Sequence, residues 1–77
     1  MPANADQETA MEHVYKTIEI TGSSKKSADD AVRMAIKKAS QSLKNLRWFK
    51  VLETRGMIEG SKVQYWQITM QVGFTLE

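Results

Sequence analysis

KVQYWQITMQVGFTL, residues 62–76, decides the fold. Trp66, Ile68, Met70, Val72, Phe74 and Leu76 fall on one face of an extended chain there, and Val63, Tyr65, Gln67, Thr69, Gln71, Gly73 and Thr75 fall on the other. A period of two held this long is a strand with one apolar and one semi-polar face, and slipping it by one residue would turn the whole apolar set into water. Upstream, Glu59-Gly60-Ser61-Lys62 reads as a hairpin connection, with Gly60 able to supply a positive φ. It joins this strand to another over Arg47–Ile58, whose alternation is imperfect: Leu52 and Ile58 do not keep phase with Phe49 and Val51. A bulge somewhere in that strand would restore the phase.

The N-terminal half supplies the other two elements. VYKTIEIT, residues 14–21, alternates as a half-buried strand, and Gly22, Ser23 and Ser24 read as its end. GSSKKS, residues 22–27, lacks the spacing of a phosphate-cradling glycine loop and reads as an ordinary strand-to-helix connection. SADDAVRMAIKKASQSLKNL, residues 27–46, reads as a helix with Ser27 as N-cap and Asp30 in capping-box position. Asp29 and Asp30 suit the positive end of its dipole, and Lys37, Lys38 and Lys44 the negative end. Ala28, Ala31, Val32, Ala35, Ile36, Ala39, Leu43 and Leu46 form one stripe rich in small residues, suited to close packing on a sheet.

The order strand, helix, strand, strand makes an α+β domain. The helix crosses over between the first two strands, so they run parallel, and the third strand belongs between them, antiparallel to both. One helix covers one face of such a sheet. The other face and both edges stay open, which predicts a homo-oligomer that covers them.

Composition narrows the function. The chain has 77 residues, no cysteine and one histidine, His13, so neither a disulfide nor a cysteine or histidine metal cluster braces it. A net charge of +2 argues only weakly for nucleic acid, which calls for a dense Lys/Arg stripe. No apolar run spans a bilayer, and MPANADQETAMEH, residues 1–13, has no signal-peptide core. This predicts a cytoplasmic protein with a flexible N-terminal extension (1–13) and one domain (14–77). Glu53 and Glu59 make no recognisable acid/base pair and no catalytic set stands out, so the expectation is a protein that is not an enzyme.

What remains is an aromatic. If Phe49 and Val51 face the helix, Trp48 faces away from it, on the side of the sheet that carries Gln67. There it is either oligomer core or a stacking platform for a flat heteroaromatic ring whose edge an amide reads. Arg55 is either a solvated edge-strand charge or a contact to an anionic tail. A single-stranded nucleic-acid binder using Trp48, Tyr65, Arg47, Lys50 and Arg55 is the alternative, as is a purely structural oligomerisation module.

In combination, VYKTIEITGSS (14–24), the capped helix, LRWFKVLETRGMI (46–58) and YWQITMQVGFTLE (65–77) resemble the dodecins, small flavin-binding proteins. The resemblance covers residues 14–77. It implies a three-stranded antiparallel sheet wrapped around one helix, assembled as a hollow homododecamer of four trimers. It implies FMN, riboflavin or FAD bound in pairs at subunit interfaces, with Trp48 as the stacking residue, Gln67 reading the ring and Arg55 near the site. The implied role is flavin storage and photoprotection, with coenzyme A as a further ligand of some bacterial members.

Overall fold

The computed structural model describes residues 14–76. Thus His13 and the expected flexible extension lie outside the described residues. The elements are β1 (Tyr15–Ser24), α1 (Ala28–Ser40), β2 (Leu46–Glu59) and β3 (Lys62–Thr75). β3 is central in the order β1-β3-β2 and runs antiparallel to both neighbours, as its unbroken alternation predicts.

The core lies where α1 crosses the inner face of the sheet. Ala31, Ala35, Ile68, Met70 and Val72 are buried, with Ile18, Ile20, Val32, Ile36 and Leu46 packed around them. α1 starts where the sequence places it. Ser27 is extended (φ −169°), and its Oγ accepts from the Asp30 N–H at 3.0 Å. The Asp30 carboxylate takes the Ser24 hydroxyl at 2.7 Å, and that hydroxyl accepts from the Lys26 N–H at 2.9 Å. The end of β1 is thereby tied to the start of the helix.

Two boundaries differ from the sequence reading. β1 runs on through Gly22, Ser23 and Ser24 and pairs with β3 as far as Ser24↔Trp66. The glycine is there for contact, not for a turn. A Cβ on Gly22 would lie 2.5 Å from the Ala31 carbonyl oxygen and 2.7 Å from the Ala35 Cβ, so its absence lets the small-residue stripe of α1 settle onto β1. α1 ends at Ser40, not Leu46. The Ser40 hydroxyl turns back to donate to the Lys37 carbonyl at 2.8 Å, as serines do where they compete with helical hydrogen bonds. The Ser42 and Leu43 N–H groups both close on the Ala39 carbonyl. Asn45 then takes a left-handed conformation, φ 65°, which asparagine tolerates better than most residues, and Leu46 begins β2.

The β2–β3 hairpin closes through Gly60 and Ser61, with Gly60 at φ 65° as expected. Its register shifts at three places, around Arg47, Leu52 and Gln64. At the second, Val51 pairs with Met70 and Glu53 with Thr69, so Leu52 is the surplus residue that the imperfect alternation called for. α1 packs on β1 and β3. β2 is left uncovered: Phe49 and Val51, paired on the inner face with Val72 and Met70, are 48% and 43% exposed. Among the described residues, no helix is long and apolar enough to cross a membrane.

Candidate functional site

The face of the sheet away from α1 is laid out in rows by the two registers. From one end to the other, Tyr15 lies opposite Thr75; Thr17, Gly73 and Trp48 share a row; then Glu19, Gln71 and Lys50; then Thr21, Thr69 and Glu53; then Ser23, Gln67 and Arg55. Trp48 and Gln67 therefore share a face, as alternation predicts. Arg55 joins them only because of the bulge at Leu52. In an unbulged strand of the same sequence, Leu52 would take the place opposite Thr69, and Arg55, seven residues from Trp48, would turn toward the helix side.

At the aromatic end, the edge of the Trp48 indole occupies the space a Gly73 side chain would fill. Its Cε2, Cζ2 and Nε1 lie 2.2, 2.3 and 2.7 Å from where a Cβ would stand. From β1, Tyr15 meets the indole edge-on, with ring centroids 6.1 Å apart and planes at 62°. The indole is nevertheless 38% exposed, a large π surface left to solvent. Thr75, beyond Gly73 on the same face, is 3% exposed, and among the described residues its Oγ1 has no hydrogen-bond partner.

At the other end, Gln67 is half-buried between Ser23 and Arg55 and borders an open cleft of about 280 Å3 lined by Ser23, Ser24, Lys25, Tyr65 and Gln67. Arg55 Nη2 donates to Glu53 Oε1 on the same strand. Both side chains are about half exposed, so the pair holds the guanidinium in place more than it stabilises the fold. Trp66, expected in the core, lies on the inner face opposite Gly56 and is half-buried.

Gly73 and Gln67 lie six residue steps apart along β3, roughly 20 Å at the usual rise of about 3.3 Å per residue. One chain thus carries the indole and the amide at opposite ends of one face and does not bring them together. Gly73 and Tyr15 are the participants that sequence reasoning missed. The signal for Gly73 was present, because a glycine inside so regular a strand marks a close approach by another group. Nothing in the sequence singles out Tyr15. Among the described residues, no three metal-ligating side chains gather into a cluster that could hold a metal.

The Dodecin family model matches residues 14–77. The chain belongs to the dodecin family. The curated dodecin of Thermus thermophilus is 39% identical over 67 residues, 87% of this chain and 97% of that protein. The dodecin structure from Streptomyces davaonensis superposes with a TM-score of 0.82 at 44% identity, covering 86% of this chain and 97% of the other. A more distant dodecin structure, the calcium dodecin of Mycobacterium tuberculosis, is described as calcium-chelating with a novel calcium-binding site; it matches with a TM-score of 0.73 at 28% identity, covering 83% and 91%.

Proposed function

We propose that this dodecin binds flavins of the FMN or riboflavin type without turning them over, storing them and limiting their photochemistry. The observation that carries the reading is the partly exposed Trp48 indole, seated over Gly73 on the face that also presents Gln67 and Arg55. A planar isoalloxazine ring stacks on such an indole, gaining about 1 kcal/mol per contact beyond the burial of its flat surface. The Gln67 amide both donates and accepts, and so matches a ring edge that does the same. Arg55 supplies a cation for a phosphate tail.

The roughly 20 Å between indole and amide in one chain means that a ring touching both lies between copies. The reading therefore includes self-assembly, as the family's homododecamer of four trimers, through the apolar surface that β2 leaves open. Trp48 would hold the isoalloxazine ring face to face, where its electron-rich indole could quench the excited ring by donating and recovering an electron, and this role asks no residue of the site to act as general acid or base. The reading places the protein in the cytoplasm. Coenzyme A is a second ligand for the same titrations.

The test is a fluorescence titration of FMN with native mass measured alongside. The parent protein quenches flavin emission strongly. Trp48→Ala removes most of the quenching and leaves the assembly mass unchanged. Undiminished quenching in that variant rules out stacking on Trp48. Collapse of the assembly instead assigns Trp48 to the oligomer core, the purely structural alternative. Binding that falls steeply with salt and is competed by oligonucleotides would favour the single-stranded nucleic-acid reading.

A further inference from the structure

We infer that Tyr15 is the positioning residue of the stacking indole and that Gly73 is the gap through which it acts. This deepens the flavin reading and rests on it for its consequence, though not for its geometry. Trp48 stands on an edge strand directly after the surplus residue Arg47. An exposed side chain in such a place samples several rotamers on the picosecond-to-nanosecond scale. A ligand that stacks on it must then freeze it, and that ordering subtracts from affinity.

The sheet removes this freedom in advance. β1 and β2 flank β3, so Tyr15 and Trp48 start two strands apart, about 10 Å at ordinary strand spacing. Between them a side chain at position 73 would block the way, and there is none. The indole leans over β3 into the space above Gly73, and Tyr15 reaches diagonally from the neighbouring row to meet it in the edge-to-face arrangement that aromatic quadrupoles favour. Sheet beneath and phenol ring at the side fix the indole, while more than a third of the residue remains open to a guest.

The chain has two tryptophans, Trp48 and Trp66. A Trp66→Phe background therefore makes tryptophan emission report on Trp48 alone. In that background, Tyr15→Phe, Tyr15→Leu and Gly73→Ala are compared in the full-length assembly by three readouts: time-resolved anisotropy without ligand, FMN affinity by flavin quenching, and native mass. Tyr15→Phe keeps the ring; the indole stays as immobile as in the parent, and FMN binds within about twofold. Tyr15→Leu adds a fast depolarising component and weakens FMN by about three- to tenfold at unchanged mass, the range an aromatic pair supports. Gly73→Ala, which closes the gap with Tyr15 intact, gives the same two changes and decides the matter if Tyr15→Leu does not assemble.

An indole that remains immobile, with FMN affinity within twofold, in Tyr15→Leu or in Gly73→Ala overturns the inference. So does a Tyr15→Phe variant as impaired as Tyr15→Leu, since the hydroxyl and not the ring would then be at work. The anisotropy arm needs no flavin. A parent protein that fails to quench FMN therefore refutes the flavin reading, while anisotropy still tests the positioning role.

Discussion

β2 and β3 are both fourteen residues long, pair along nearly their whole length and carry similar numbers of apolar residues, yet one is core and the other is surface. The cross-strand pair Val51 and Met70 makes the contrast sharpest. The two residues lie side by side on the inner face; Met70 is wholly buried, while Val51 is 43% exposed. The difference is the reach of α1, which spans β1 and β3 and stops there. Apolar side chains on β3 stabilise the chain itself. Those on β2, among them Phe49, Val51, Leu52, Met57 and Ile58, stay exposed among the described residues, and in the proposed assembly they gain their burial from another copy.

Three substitutions test that division. Met70→Ala has the largest expected effect, a loss of about 3 kcal/mol in chemical denaturation, because it empties part of a closed core. A loss under about 1 kcal/mol would mean that β3 is no more core than its partner. Val51→Glu comes next. It forfeits the burial of one valine per copy, about 2 kcal/mol, and sets a charge in the contact. Native mass is expected to fall to small species while far-ultraviolet circular dichroism keeps its shape; an intact assembly would show that β2's inner face is not an interface. Ser27→Ala is the smallest at about 1 kcal/mol, the usual worth of a helix N-cap. It acts on the α1 side alone, so it lowers the denaturation midpoint and leaves the assembly mass unchanged.

Much of this was legible in the sequence because it rests on local period and chain order. The alternation of Trp66 to Leu76 identified the central strand. The helix between the first two strands required them to be parallel, and the same alternation put Trp48 and Gln67 on one face. What was not legible depends on contacts between distant residues. Gly22-Ser23-Ser24 has turn composition, and only the Ala31 and Ala35 surface lying over Gly22 makes it strand. Leu43 and Leu46 continue the helical stripe in sequence, but the Ser40 hydroxyl and the left-handed Asn45 end the helix first. Leu52 looks like any strand leucine, so the bulge was inferred from lost phase and could not be located. The separation of the indole from the amide follows from register, which one sequence does not state.

The surplus residue at Leu52 also makes β2 tolerant of one particular loss. Removing Leu52 would let Glu53 follow Val51 directly and erase the bulge, leaving Trp48 and Arg55 six residues apart in a regular strand and still on the same side. Lengthening the hairpin at Gly60, which has open space around it, leaves that side unchanged as well. A single-residue loss at the bulge thus costs the strand its kink and not the side on which its cation stands.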